Sequence, residues 1–234
     1  MNIPEKISKK DFIEIAFTAR IKDGKIFDSN IKEDIEKEKL PLKPKPFVFC
    51  LGHEMFIKAV DEFLEGKEVG RLYTIEIEPE KAFGKRDVNL IKKVPLKIFT
   101  EMKQTPQPGM IFNFDGQFGK ILSVSGGRVI TDFNNPLAGK DIIYTIKVDR
   151  KVTDNKEKTK AILDFFFGQE FKFEIDEKGK EIIIEASAEL KPLFELFKNK
   201  FKEMLGFDLK FKEIKEVEKS KGKEAEAKNN HNAI

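Results

Sequence analysis

Asp23-Gly24-Lys25-Ile26-Phe27-Asp28-Ser29 decides the fold of the N-terminal half. Apolar residues lead into it at Phe12, Ile13, Ile15, Phe17 and Ile21, and Ile26 resumes the pattern beyond it. An Asp-Gly pair between two such runs predicts a hairpin turn, because glycine accepts the backbone angles that a tight reversal of twisted strands requires. Moving outward, residues 30–46 are polar and carry Pro41, Pro44 and Pro46, which predicts a long loop, with room for one or two helical turns at Glu33–Leu40. Pro46-Phe47-Val48-Phe49-Cys50-Leu51-Gly52 reads as a short strand closed by glycine. Phe56, Ile57, Val60, Phe63 and Leu64 then fall on one face of a 3.6-residue period, a helix ended by a left-handed Gly66. Leu72 to Ile77 is a strand that stops before Pro79.

From residue 88 to 137 the texture changes. Pro95, Pro106, Pro108 and Pro136 punctuate short strands at Met110–Phe114, Lys120–Val124 and Arg128–Phe133, with turns at Asp115-Gly116 and Gly126-Gly127. This predicts a small β-rich unit. Strong alternation returns at Ile142–Val148. Asp154 and Glu157 have the spacing of a helix-capping pair, and the helix they open ends at Gly168. A hairpin follows, with Phe171, Phe173 and Ile175 before the Asp176–Gly179 turn and Ile182 to Ala186 after it. A helix over 189–205 lines Leu190, Leu193, Phe194, Phe197, Phe201 and Leu205 along one face, and Pro192 fits only its first turn. Phe207, Leu209 and Phe211 mark a last strand. The expected fold class is therefore α+β and multidomain: an antiparallel sheet wrapped on one helix (1–87 and 138–152), a β-rich insert (88–137), an α-β-β-α-β unit (153–217) and a disordered tail (218–234).

Composition bounds the chemistry. With 40% hydrophobic residues in 234, the chain has ample material for a core. Lys+Arg number 44 against 41 Asp+Glu, so the interleaved charges do not make the basic field that nucleic-acid binding uses. One cysteine, Cys50, excludes an internal disulfide framework. With only His53 and His231 beside it there is no zinc-type cluster, so no metal and no cofactor are expected. No apolar run approaches the ~20 residues of a membrane helix, and Met1–Lys10 has no signal-like core, so a cytoplasmic location is expected. High Lys and Glu with few Gln is the bias reported for hyperthermophiles. The aromatic residues are 23 Phe and 2 Tyr with no Trp: eight Phe lie in 1–87, five in 88–137 and ten in 154–216.

Three ordered motifs carry a family likeness: Asp23–Ser29, Pro46–Gly52 and Glu78-Pro79-Glu80-Lys81-Ala82-Phe83-Gly84. Together they resemble the FKBP family of peptidyl-prolyl cis-trans isomerases. Val94-Pro95, Pro108-Gly109-Met110 and Asn134-Asn135-Pro136-Leu137-Ala138-Gly139-Lys140 are similar to the SlyD-like branch, whose flap is replaced by an inserted chaperone domain. Residues 154–216 resemble the extra C-terminal domain of long archaeal members. The resemblance implies a proline-binding pocket made by Phe17, Phe27, Asp28, Phe47, Phe56, Ile57, Val60, Phe83 and Tyr144, with Phe56 and Ile57 opening the helix and Val60 at the floor. It also implies departures. The family usually has Tyr at Phe17 and Phe83, Trp or Leu at Val60, Gly at Ala59, and its SlyD-like members have His at Asn135.

For the insert two readings stand side by side. Its apolar residues either form a tight mini-core, or Leu96, Phe99, Met110, Phe112 and Phe114 line an exposed groove that holds unfolded chains; the resemblance favours the groove. Likewise the expected activity is prolyl isomerisation with chaperoning of unfolded, proline-containing polypeptides, and the alternative is a holdase with a decayed pocket. The ten Phe of 154–216 point to a homodimer through that unit, or to a third surface for substrate. No nucleic acid and no membrane are expected as partners.

Overall fold

A computed structural model describes residues 5–214. The expected tail at 218–234 lies outside the described residues, as do positions 215–217. The described residues form two compact units: those up to Glu76 with those from Ile143, and Ile77–Ile142.

The first unit is built on β1 (Phe12–Ile21), which alternates buried and half-buried residues along its length. β2 (Ile26–Ser29) returns antiparallel to it through the expected turn, where the Gly24 N–H donates to the Ile21 carbonyl at 3.0 Å. A Cβ on Gly24 would sit 3.0 Å from that of Ile21, so glycine is needed for close approach here. The loop contains α1 (Lys32–Glu38), ended by Lys39 in the left-handed region. β3 (Phe47–Cys50) pairs antiparallel with the other half of β1, Phe12 opposite Cys50 and Ile15 opposite Phe47. α2 (Lys58–Leu64) buries Val60, Asp61 and Leu64. It begins later than the periodicity implies, because Ile57 is an extended N-cap residue; Phe56 and Ile57 therefore lie on the connection before the helix. β4 (Leu72–Ile77) and a later strand, β9 (Ile142–Val152), complete the sheet in the order β2-β1-β9-β4.

The second unit holds β5 (Ile91–Pro95), α3 (Leu96–Glu101), β6 (Ile111–Phe114), β7 (Gln117–Ser125) and β8 (Arg128–Asp132). These strands make an antiparallel sheet in the order β5-β8-β7-β6. β5 and α3 were not legible in the sequence: Pro95 ends one and serves as N-cap of the other, so neither is long enough to show a period. The rings of Phe99, Phe112 and Phe114 close on one another, with Phe99 5.0 Å from Phe112 and 5.5 Å from Phe114, over Val94, Ile121 and Val129. Gly119 makes room for this; a Cβ there would stand 2.5 Å from Thr131 and 2.8 Å from the Phe133 ring.

After β9 come α4 (Asn155–Phe167), β10 (Lys172–Asp176), β11 (Glu181–Ala186), α5 (Lys191–Leu205) and β12 (Asp208–Glu213). The Asp154 carboxylate accepts the Glu157 N–H at 2.9 Å, the cap that its spacing implies. β10 and β11 form the expected hairpin, while β11 and β12 run parallel with α5 crossing between them. Phe194, Phe201, Met204, Ile182, Ile184 and Leu209 are buried together in this part. It packs on the body: Lys45 pairs with Asp164 at 2.7 Å, Arg150 bridges Glu14 and Glu157, and the Lys158 ammonium lies over the Phe12 ring.

Candidate active site

Five of the expected pocket residues meet as a cluster of rings. β1 supplies Phe17, β2 supplies Phe27, β3 supplies Phe47, the connection before α2 supplies Phe56, and β9 supplies Tyr144. Phe56 lies at the centre, its centroid 5.3 Å from Phe17, 5.2 Å from Phe47 and 5.4 Å from Tyr144. Phe17 also touches Phe47 at 5.8 Å and Tyr144 at 6.2 Å, and Phe27 meets Tyr144 edge-on at 6.5 Å. Most of these contacts are tilted or edge-to-face, the arrangement ring quadrupoles favour. Phe49, which the sequence marks only as core, is fully buried and backs Phe47 and Phe56 at 5.5 Å. Because Phe56 stands before the helix, its ring reaches across to β1 and β9 instead of stacking along the helical face. Ile57 follows it in the chain and is half-buried, and Val60 on α2 is completely buried.

A pairing irregularity lies beside Asp28, the expected polar group. Ala19 lies opposite Asp28 but Arg20 lies opposite Ile26, so Phe27 is an extra residue in β2. In a regular strand Phe27 and Asp28 would project to opposite faces. The bulge turns the chain between them, and both are half-buried. Burial pushes the Asp28 carboxyl above its usual range, opposed by the Ser29 N–H. Burial raises the Tyr144 hydroxyl as well, and the charge of Asp28 adds to that effect. The poorly solvated Asp28 carboxylate is the only strongly polar feature among the expected pocket side chains other than the Tyr144 hydroxyl.

Phe83 is carried by the second compact unit, half-buried in the turn that the Gly84 N–H closes on the Pro79 carbonyl at 2.7 Å. Burial holds the Cys50 thiol up to about 12, which leaves it protonated and inert. Among the described residues no three His, Cys, Asp or Glu side chains are grouped to hold a metal ion, and no helix is long and apolar enough to cross a membrane.

In the insert the residues expected to line a groove divide. Phe99 and Phe112 are buried at the centre of its core, and Leu96 and Phe114 pack against them. Only Met110 of the five is exposed. The correction has a simple cause: α3 folds over the sheet and covers the face that carries these rings. The apolar side chains that remain exposed on the insert include Ile98, Met102, Met110, Ile111, Phe118 and Leu122, with Ile111 62% exposed. Seeing this from the sequence required knowing which side of β6 and β7 the helix covers.

The FKBP-type peptidyl-prolyl cis-trans isomerase model matches residues 3–100, which span β1, β2, β3 and α2, and the model described as FKBP26, IF domain, matches residues 92–137. Over 145 residues the chain is 35% identical to the short-type peptidyl-prolyl cis-trans isomerase of Methanocaldococcus jannaschii, covering 61% of this chain and 92% of that protein. It is 27% identical over 147 residues to the FKBP-type peptidyl-prolyl cis-trans isomerase SlyD of Haemophilus influenzae, covering 61% of this chain and 71% of the relative. The SlyD of Vibrio cholerae matches at 29% over the same length, covering 67% of that protein. A likeness that runs through nearly all of an archaeal isomerase, takes in β1, β2 and β3 and continues into the insert makes this chain a member of the FKBP-type peptidyl-prolyl cis-trans isomerase family, in its SlyD-like branch.

Proposed function

We propose that the ring cluster grips the proline of an X–Pro segment and accelerates rotation about the preceding peptide bond, while the insert at 88–137, tethered to it through the chain, holds unfolded polypeptide. Amide resonance sets a barrier of about 18–20 kcal/mol to that rotation. No bond breaks, so no nucleophile, metal or general base is needed. Hydrogen bonds from water favour the planar, charge-separated imide; stripping them favours the twisted one. The observation that carries this reading is the set of Phe17, Phe47, Phe56 and Tyr144 rings, whose contacts span 5.2 Å to 6.2 Å, with a desolvated Asp28 carboxyl beside them.

The family's hydroxyl groups at Phe17 and Phe83 are missing here, and that supports a second reading, a holdase with little catalysis. A refolding reaction limited by a prolyl bond separates the two. The isomerase accelerates it at substoichiometric amounts; a holdase suppresses aggregation and leaves the slow phase unchanged. Asp28→Ala is expected to lower kcat/KM on a proline tetrapeptide by about 5–10-fold, or about 1–1.4 kcal/mol, with thermal stability kept. An unchanged kcat/KM would remove Asp28 from the site.

The same proposal divides the chain at 87/88, 137/138 and 152/153, and places a homodimer contact on residues 154–216. Exposed Phe165, Leu193 and Leu196, the last 77% exposed, support a self-association surface. Light scattering at micromolar concentration is expected to give twice the chain mass, and Leu196→Glu to halve it. A monomeric mass for the unaltered protein rules the dimer out.

A further inference from the structure

We propose that Asn30 is a positioning residue for the prolyl pocket: its side-chain amide stands in for a missing strand partner where β1 exchanges β3 for β2, and so holds Phe17 against Phe47. The proposal rests on the reading of the ring cluster as the isomerase site. β1 is laddered to β3 as far as Ile15 opposite Phe47, and to β2 from Thr18 opposite Ser29. Phe17 falls between the two ladders. Its backbone groups face the same edge as those of Asp11 and Ile21: the Asp11 carbonyl accepts from Leu51, the Ile21 N–H donates to Lys25, and the Phe17 carbonyl accepts from Asn30. An edge left open here would strand buried peptide groups beside the pocket.

Asn30 closes the seam in the way a strand would. Its Oδ1 accepts the Phe17 N–H at 2.8 Å and its Nδ2 donates to the Ile15 carbonyl at 2.8 Å. Those are the two groups that an antiparallel neighbour would engage on residues i and i+2 of one edge. The second proton of Nδ2 reaches the Lys45 carbonyl at 3.3 Å, two residues ahead of Phe47. Ser29 Oγ donates to the Phe17 carbonyl at 2.9 Å, so both peptide groups of Phe17 are held by side chains of the Ser29-Asn30 pair. Thr18 Oγ1 donates to Asp34 on α1, and Ser29 Oγ lies 3.4 Å from the same carboxylate, so α1 backs the pair in turn. An amide is the group required, because it both accepts and donates; a carboxylate only accepts, and a methyl does neither. The consequence falls on geometry. Phe17 touches Phe47, Phe56 and Tyr144, so a shift of β1 relative to residues 45–47 rearranges the ring cluster.

The test uses the full-length protein, a proline tetrapeptide and the variants Asn30→Ala and Asn30→Asp, at a temperature where circular dichroism shows each folded. Asn30→Ala is expected to lose about tenfold in kcat/KM, at a constant ratio to the unaltered protein across pH 4–8. Asn30→Asp is expected to lose as much at pH 7.5 and to regain several-fold of the ratio towards pH 4, close to the ordinary carboxyl range of about 3.9, where the protonated carboxyl offers one donor again. Unaltered kcat/KM in both variants, or an Asn30→Asp ratio that ignores pH, overturns the proposal. If the unaltered protein does not isomerise the peptide at all, the isomerase reading fails by itself. NMR then decides the positioning: slow exchange of the Phe17 amide lost and Tyr144 ring resonances displaced in Asn30→Ala support it, and unchanged spectra overturn it.

Discussion

Removal of residues 88–137, with Asp87 joined to Ala138 through a short glycine linker, is expected to cut catalysis of a proline-limited refolding reaction about a hundredfold, while a proline tetrapeptide is turned over within about threefold of the full-length rate. Every expected pocket residue lies outside the deleted segment. The two strands of chain that lead into the insert run side by side. The Asp87 N–H donates to Asn134 Oδ1 at 2.8 Å, Asn134 Nδ2 returns to the Asp87 carbonyl at 2.9 Å, and the Gly139 N–H donates to the Gly84 carbonyl at 2.8 Å. The last of these bonds survives the deletion, so the ends need only a few residues to join. Tethering a weak chain-binding surface to a catalytic site raises the local concentration of substrate by about 10²–10⁴. A tetrapeptide is too short to use the tether. The exposed apolar residues of the insert, Met110, Ile111, Phe118 and Leu122, are the surface in question. Refolding and peptide rates that fall by the same factor would show one site rather than two.

Replacement of Asp61 by Asn is expected to raise the midpoint of thermal unfolding at pH 7 by several degrees, and to leave it almost unchanged at pH 4. Asp61 is only 6% exposed on the inner side of α2, and burial pushes its carboxyl up to about 6, opposed by the N–H groups of Gly52 and Glu54. The folded chain therefore binds a proton more tightly than the unfolded chain, whose Asp titrates near about 3.9. Below about pH 4 the group is protonated in both states and costs nothing. Between about pH 4 and pH 6 the unfolded state ionises first, and stability falls as pH rises; above about pH 6 the penalty is complete and constant. A shift of this size corresponds to about 3 kcal/mol, reduced to about 1–2 kcal/mol by screening from the charged cleft that Lys9, Lys58, Glu62 and Glu65 form with it. Asn keeps an acceptor for the Gly52 and Glu54 N–H groups. Asp61→Ala loses it and is expected to destabilise at every pH. A stability difference between the unaltered protein and the Asp61→Asn variant that is flat from pH 4 to 7 would refute the assignment. The carboxyl is retained at this cost where it ties the 52–54 connection, which leads into Phe56, to the helix behind it.

The elements were legible where the signal is local. Asp23-Gly24 requires a reversal, the Phe56–Leu64 spacing suggests a helical face, and Asp154 with Glu157 requires a helix start; the structure has the reversal and the helix start, but the helix of the second stretch begins only at Lys58, with Phe56 and Ile57 ahead of it. β5 and α3 were not legible, because a five-residue strand and a six-residue helix that meet at Pro95 leave no period to read. That Phe17, Phe27, Phe47, Phe56 and Tyr144 belong together was suggested only by the ordered motifs around them, since nothing in composition separates those rings from other core Phe; their mutual contacts are what the structure adds.

Residue order alone determined which side chains are apolar, where the chain turns and which short motifs recur in the isomerase family, because each of these depends on neighbours within a few positions. Tertiary structure decided the rest. Phe99 and Phe112 lie inside while Ile111 and Phe118 lie outside, because α3 covers one face of the insert sheet and not the other. Phe27 and Asp28 both come to lie near Tyr144, beside the point where β2 slips by one residue against β1, and Asn30 acquires its partners because β1 changes strands beside it. Burial and pairing of these groups depend on segments far away in the chain, and no local pattern of residues encodes which distant surface will arrive to cover them.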